Sequence, residues 1–265
     1  MNMAEQSTIF PLKPEIDAQT TTDLLNYLKD CLDETCRRIA EKYSVYDKLG
    51  RPGKAYILDV LTRYTCPSCA VKALTQMRVR AEVDAIFREA HDLAVSLLVH
   101  ALRNILGERI TVKDEVTSEN GRVDVLVRKL KGGLRVQADN LELIVEVKTN
   151  MGFNIRQVLR YLAERPDAIA LIWRIRKRQT LLIDGRKHRW LLIAYIAAAL
   201  QQGLTIYNED FTPCDHDFTD RPFEVNDPQG FLDDFLTSLV DGLPKVVDTV
   251  MQLLGRKNED GLGGV

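Results

Sequence analysis

The hydrophobic positions of the chain recur with two different spacings, and each spacing predicts its own kind of element. Apolar residues fall at helical intervals near the start of the chain, and from Arg109 onward they alternate with polar residues over several short runs. Alternation of this kind is typical of strands. Helices are predicted over Thr21–Glu41, from Val71 or Val79 to Leu106, and over Phe153–Glu164, Trp190–Gln202 and Gly230–Leu254, and strands over Arg109–Val116, Arg122–Arg128, Leu141–Lys148, Asp167–Ile175 and Thr180–Asp184.

The breaks between these elements divide the chain into segments. Gly107 is expected to end the long helix, the composition changes after Gly203, and Pro244 is expected to interrupt the last helix. The order helix, antiparallel strands, helix, strand, helix predicts an α/β core. We therefore expect a flexible arm over 1–20, a helical N-terminal region over 21–78, the core over 79–207, a loop and helical C-terminal extension over 208–257, and a disordered tail over 258–265.

Composition narrows the classes of function. The 265 residues are 45% hydrophobic and 28% charged, with a formal net charge of −2, which excludes a uniformly basic nucleic-acid coat but not a local basic patch. The start of the chain lacks the long apolar core of a secretory signal. The apolar run Trp190–Leu200 is much shorter than the roughly 20 residues of a membrane span. We therefore expect a soluble, cytoplasmic protein with no membrane partner.

Acidic residues stand inside two predicted strands that are otherwise rich in branched apolar residues. In "LELIVEVKT", alternation places Glu146 and Lys148 on the same face. In "GRVDVLV", the three valines are expected to face one way and Asp124 the other. If the two strands pair, both carboxylates and the ammonium group converge on one side of the sheet.

This trio suits metal-assisted hydrolysis of a phosphodiester. Two carboxylates hold Mg²⁺ or Mn²⁺, because hard cations prefer oxygen ligands. The metal polarises the phosphate and lowers the pKa of a bound water, and a neighbouring lysine stabilises developing charge. The alternative is an exposed strand face with a Glu–Lys ion pair, which contributes about 0–1 kcal/mol. The three residues alone leave both interpretations open.

The spacing of these residues resembles a known motif. Asp124, a gap of 21 residues and then Glu146-Val147-Lys148 is similar to the core motif of the PD-(D/E)XK nuclease superfamily. The resemblance implies a restriction-endonuclease-like core, which is a central mixed sheet flanked by helices, and a metal-dependent deoxyribonuclease activity. It also implies that Asp124, Glu146 and the Val147 carbonyl hold the metal and that Lys148 orients the attacking water.

A second motif narrows the resemblance. Nine residues after Lys148, Gln157 and Tyr161 stand at the spacing of the QxxxY motif, which marks the RecB-like branch. That branch includes CRISPR-associated exonucleases that carry an iron–sulfur cluster. By this resemblance, Gln157 and Tyr161 position the lysine or the DNA strand. Helical spacing places both outside the apolar stripe formed by Ile155, Val158, Leu159 and Leu162.

RecB-like enzymes take another metal ligand, a histidine or a glutamate, from a helix before the sheet. His91 and Glu89 are the candidates in "FREAHDL". His91 lies at the edge of the helix's predicted apolar face, built from Phe87, Ala94, Leu98, Ala101 and Ile105, whereas Glu89 lies on the side expected to face solvent. We therefore favour His91, although a lone histidine on an apolar face is more often a hydrogen-bonded core residue. His100 is a weaker candidate.

Cysteines suggest a second metal site. Cys66 and Cys69 have the CxxC spacing of metal ligands, and Cys31 and Cys36 lie upstream, so these four could bind zinc or an iron–sulfur cluster. The iron–sulfur RecB-like nucleases usually have one cysteine before the core and three after it. Here only Cys214 follows the core, so the family cluster does not carry over directly. Cys31 and Cys36 also fit buried positions in their own helix.

Basic residues supply candidate DNA contacts. The run "RIRKR" follows a buried strand, and two further arginines lie on the QxxxY helix. Such runs are usually solvated turns, but near a phosphodiester site they can follow a nucleic-acid backbone. The candidate DNA-binding residues are Arg156, Arg160, Arg174, Arg176, Lys177 and Arg178.

The resemblance implies cleavage at DNA ends or on single strands, as in CRISPR adaptation or in recombination and repair. One alternative is a resolvase-like or restriction-type endonuclease acting, usually as a dimer, on duplex or branched DNA. A second is a nuclease-derived scaffold that binds DNA or a protein. DNA is the expected partner, with other nucleic-acid-processing proteins and a second copy of the chain as further candidates. The apolar stripes of the C-terminal extension are expected to close the core, with docking of a partner as the alternative.

Overall fold

The computed structural model of the chain describes residues 17–45, 53–76, 84–106, 110–118, 121–129, 141–149, 154–215 and 225–255. The expected tail and most of the expected arm lie outside these residues. The described helices are α1 (Ala18–Lys42), α2 (Lys54–Arg63), α3 (Pro67–Gln76), α4 (Ala85–Leu106), α5 (Ile155–Glu164), α6 (Arg189–Asn208) and α7 (Pro228–Gly255). The strands are β1 (Ile110–Ser118), β2 (Gly121–Lys129), β3 (Glu142–Lys148), β4 (Ile169–Arg174) and β5 (Gln179–Asp184), with a 3₁₀ turn at Ile175–Lys177.

The five strands form one mixed sheet in the order β1-β2-β3-β4-β5. The pairs β1–β2, β2–β3 and β4–β5 are antiparallel, so consecutive strands turn back on each other. β3 and β4 are parallel, and α5 makes the crossover that a parallel neighbour requires. The prediction of an α/β core is confirmed at the level of a mixed five-stranded sheet flanked by helices.

Helices cover both faces of the sheet. Residues of α1, α2, α3, α5 and α6 share one core with one face, and residues of α4 and α7 share a second core with the other. We call these two surfaces the α5 face and the α4 face. The helical N-terminal region therefore forms part of the layer on the α5 face, and α1 packs along α6.

Three element boundaries differ from the sequence prediction by three residues or more. Helix α1 begins at Ala18, inside the expected arm, because the side chain of Asp17 caps it by accepting from the Thr20 N–H. Helix α4 begins at Ala85, and residues 77–83 are outside the described part of the chain. Helix α6 runs to Asn208, past the expected end at Gln202.

Gly203 lies inside α6 because it allows another helix to come close. A Cβ at this position would lie 2.8 Å from the Cγ2 of Thr35 on α1, which is closer than such atoms approach. The glycine is thus a packing residue and not a helix end. Among the described residues, α6 alone has the length and apolar composition that a membrane crossing requires, with 39% of its most apolar window buried against the rest of the protein.

Helix α7 continues through Pro244, so the predicted interruption is wrong. Buried residues on both sides of the proline hold the helix against the α4 face: Phe231, Phe235 and Leu239 before it, and Val246, Val247 and Val250 after it. The expectation that this apolar stripe closes the core is confirmed by its membership of the core on the α4 face. The indole of Trp173 fills the space beside Gly242.

Candidate active site

The ladder of the sheet is interrupted at Asp124. Between β1 and β2, Asp114 pairs with Val125 and Val116 pairs with Val123, but the Glu115–Asp124 position between them does not pair. The β2–β3 ladder also stops short of Asp124, at the pair Val125–Val145. Glu115 has a left-handed backbone with φ of 48°, a conformation that is costly outside glycine and is concentrated at functional sites.

At this interruption the side chains of β2 change from one face of the sheet to the other. The expectation that its three valines face one way is therefore wrong. Val125 and Val127 belong to the core on the α4 face, but Val123 belongs to the core on the α5 face. The neighbouring strand makes the same change, since Val112 packs on the α4 face and Val116 on the α5 face. The backbone therefore twists at Asp124, and its side chain lies at the gap where β2 and β3 separate.

Asp124 joins the two strands to α4. The Val147 N–H donates to Asp124 Oδ2 at 2.8 Å, which replaces a missing ladder bond. The other oxygen, Oδ1, lies 3.4 Å from Nε2 of His91. Burial lowers the pKa of His91, but the hydrogen bond and negative charge of Asp124 outweigh it, so the pKa is raised above its usual value. Glu89 is exposed, and exposed His100 contacts Asn104, so neither joins this group.

Glu146 is fully buried and lies beside Lys148. The Lys148 ammonium donates to Glu146 Oε1 at 2.5 Å and to Gln157 Oε1 at 3.0 Å. The second oxygen of Glu146, Oε2, is buried and has no hydrogen-bond partner. Burial and the charge of Asp124 raise the pKa of Glu146 to about 7, although Lys148 acts in the opposite direction. The site therefore holds a carboxylate oxygen that needs either a proton or a cation.

Gln157 and Tyr161 continue this network from α5 to β2. Gln157 Nε2 donates to the Tyr161 hydroxyl at 2.8 Å, and that hydroxyl donates to the carbonyl of Arg122. Tyr161 is 1% exposed, so its predicted position outside the buried face of α5 is wrong, and Ile155, assigned to that face, is 40% exposed. The hydroxyl partner explains the burial, because a tyrosine can be buried when its O–H is satisfied.

Comparison with known proteins gives no match. No family model, no curated protein and no solved structure aligns significantly with this chain.

The donor set suits a hard divalent cation. The candidates are Asp124 Oδ1, the partnerless Glu146 Oε2, His91 Nε2 and the Val147 carbonyl, which are oxygen and imidazole donors of the kind that Mg²⁺ and Mn²⁺ accept. Across the part of the chain that the structure describes, no three His, Cys, Asp or Glu side chains form a ready-made metal group. Metal binding would therefore need side-chain movements, such as release of Glu146 from Lys148.

The four cysteines proposed as a second metal site do not form one group. Cys31 shares a hydrogen bond with Tyr27, and Cys36 is buried in the core on the α5 face, where burial raises its pKa to about 12. Cys69 instead lies 3.1 Å, sulfur to sulfur, from Cys214, and Cys66 also hydrogen-bonds to it. Cys214 is absent from the predicted set, because spacing along the chain does not indicate a contact between residues 145 positions apart.

The predicted DNA-binding residues lie in different surroundings. Arg174 is in register with Lys148 on the neighbouring strand, and Arg156 is exposed on α5 beside Gln157. Arg160 is buried, and its guanidinium donates to the Ala55 carbonyl on α2.

The 3₁₀ turn holds the rest of the basic run against α7. Arg176 pairs with Asp234 at 2.6 Å and lies over the ring of Phe231, and Arg178 lies 3.7 Å from Asp241. Lys177 is exposed. Of the six candidate DNA-binding residues, Arg174 and Arg156 are the two that adjoin Lys148 and Gln157, through the strand register and the sequence respectively.

Proposed function

We propose that this protein is a metal-dependent deoxyribonuclease of the RecB-like PD-(D/E)XK type, acting in the cytoplasm. One observation carries the proposal: Asp124, Glu146 and Lys148 meet at the interrupted ladder, and a buried oxygen of Glu146 has no partner there. An ordinary Glu–Lys surface pair would be exposed, but Glu146 is 0% exposed and its lysine is also held by Gln157. A buried carboxylate with a raised pKa, a specific charge partner and one oxygen without a hydrogen bond favours a functional role.

Each residue of the site would have a separate role in phosphodiester hydrolysis. Asp124, Glu146, His91 and the Val147 carbonyl would hold Mg²⁺ or Mn²⁺, which supplies charge for the phosphate and acidifies a bound water. The side chain of Lys148 is 18% exposed, and its ammonium group would donate to the water or to a phosphoryl oxygen. Gln157 holds that ammonium in place, and Tyr161 holds Gln157.

Access to this site favours an end or a single strand of DNA as the substrate. Asp124 is 9% exposed and Glu146 is fully buried, so the reacting phosphate must enter the gap between the strands. Arg174, in register with Lys148, and exposed Arg156 on α5 would contact neighbouring phosphates. We therefore propose end processing, of the kind needed in CRISPR adaptation or in recombination and repair.

A cleavage assay tests the activity. The purified chain, incubated with end-labelled single-stranded and duplex DNA, should cut with Mg²⁺ or Mn²⁺ and not with EDTA. Asp124→Asn should lower the rate by about a hundredfold or more, since a charged metal ligand is lost. Asp114→Asn on β1, an exposed aspartate paired with Arg103, is the matched control and should keep full activity. Cleavage in EDTA, or equal rates for wild type and Asp124→Asn, would contradict the proposal.

Removing the Tyr161 hydroxyl tests whether this side chain positions Gln157 and Lys148 for the reaction or only stabilises the fold. Tyr161→Phe loses two hydrogen bonds, so we expect about 1–2 kcal/mol lower free energy of unfolding and about a tenfold lower kcat. Tyr195→Phe, which removes another buried hydroxyl bonded to Thr62, is the control. It should lower the free energy of unfolding by about 0.5–1.5 kcal/mol in urea unfolding, as expected for one hydrogen bond, while kcat stays unchanged. A Tyr161→Phe enzyme with wild-type kcat would remove Tyr161 from the positioning network.

A further inference from the structure

Two cysteines that are distant in the sequence lie in contact, one in the helical N-terminal region and the other after the end of α6. Cys69 is on α3, and Cys214 follows the end of α6. Their sulfur atoms are 3.1 Å apart, although 145 residues separate them. A covalent sulfur–sulfur bond is about 2.05 Å long, so a movement of about 1 Å would close one between them.

The surroundings of the pair differ in access to solvent. Cys214 is half-buried and can meet a small oxidant, whereas Cys69 is buried beneath it. Cys66, which directly precedes α3, is also half-buried and hydrogen-bonds to Cys69. The accessible thiol and the buried thiol are therefore already placed as an entry residue and a resolving residue.

We propose that Cys69 and Cys214 form a reversible disulfide that ties α3 to the segment after α6. The Cys214 sulfur attacks a small-molecule disulfide such as oxidised glutathione, forms a mixed disulfide and releases one thiol. The Cys69 sulfur then attacks the Cys214 sulfur and releases the second thiol, so the protein loses two electrons and two protons to the oxidant. A transient bond of this kind is the form that disulfides take in a reducing compartment.

The bond would act on stability and not on the proposed chemistry. The disulfide would close a loop of about 145 residues. It would join α3 to the segment that follows α6, and both helices belong to the core on the α5 face. Closing a loop of that size restricts the unfolded chain, and we expect the melting temperature to rise by about 5–10 °C. The hydrogen bonds and ion pairs described above for His91, Asp124, Glu146 and Lys148 go to one another, to the Val147 N–H and to Gln157, so cleavage by the oxidised protein should stay within about twofold of the reduced rate.

Oxidation of the full-length chain tests the pair. Incubation with excess oxidised glutathione, followed by non-reducing peptide mapping, should show a Cys69–Cys214 link and a higher melting temperature, both reversed by dithiothreitol. Cys214→Ser should show neither change, because its only alteration is an accessible thiol. Cys31→Ser, a half-buried thiol on α1, is the control and should behave like wild type.

Three outcomes would overturn the proposal. The first is a Cys66–Cys69 link in place of the predicted one, and the second is retention of all five thiols under oxidation. The third is zinc or iron that copurifies in stoichiometric amount with wild type and is lost in Cys214→Ser, since the thiols would then be metal ligands. Visible absorption and elemental analysis of the purified protein read out this third outcome directly.

Discussion

Glu146→Gln is expected to lower the rate of metal-dependent cleavage by about a hundredfold or more. It should also abolish a decrease in the free energy of unfolding that we expect for the wild-type protein between pH 5 and pH 8. The pKa of Glu146 is raised to about 7, whereas in the unfolded chain it is near 4.5. The folded protein therefore keeps this proton over a range where the unfolded chain has released it. The resulting stability is fully present below pH 4.5 and is lost as the pH rises through 7.

The size of that fall follows from the shift in pKa. It corresponds to about 2–3 kcal/mol in metal-free protein. Urea unfolding at pH 5 and pH 8 in EDTA measures it, and Glu146→Gln should lose this component because glutamine does not ionise. Glu142→Gln, four residues earlier on β3 and paired with Arg128, is the control, and it should keep both the pH dependence and the activity. An identical pH dependence in wild type and Glu146→Gln would show that Glu146 is not the group responsible.

Lys148→Met should lower kcat by about a hundred- to a thousandfold while leaving Mn²⁺ binding within a few-fold of wild type. The Lys148 ammonium lies between Glu146 and Gln157 and is the cation best placed to stabilise charge on a phosphoryl oxygen. Methionine keeps most of the side-chain volume but removes that charge. Steady-state cleavage and a Mn²⁺ titration on the same preparation measure the two effects.

The control for this variant is Lys113→Met, which removes an exposed lysine from β1. It should keep kcat and Mn²⁺ binding unchanged. Wild-type kcat in Lys148→Met would exclude the lysine from the chemistry. Loss of Mn²⁺ binding together with unfolding would assign it a structural role.

Local patterns in the sequence predicted the elements that carry the site. Alternation placed a strand over Leu141–Lys148, and the structure has β3 at Glu142–Lys148. Helical spacing predicted a helix to Glu164, where α5 ends. These predictions succeed because each depends on residues a few positions apart, and burial of one side of an element imposes a fixed period.

Long-range contacts explain what the patterns missed. The twist at Asp124 depends on the left-handed backbone of Glu115 on the neighbouring strand, which no alternation within β2 can indicate. The burial of Tyr161 depends on the Arg122 carbonyl, which its hydroxyl reaches from another element. The predicted end of α6 before Gly203 is wrong because the glycine is a close-packing position, which depends on Thr35 of α1. In each case the deciding partner lies on another element, which a pattern within one element does not indicate.

Binding of Mn²⁺ to metal-free protein, measured by titration calorimetry at pH 8, tests the central claim most directly. Above pH 7 the Glu146 carboxylate is ionised and can accept a cation. The account predicts saturable Mn²⁺ binding by wild type and by Asp114→Asn, and loss of that binding in Asp124→Asn. Absence of saturable binding by wild type, or unchanged binding by Asp124→Asn, would contradict it.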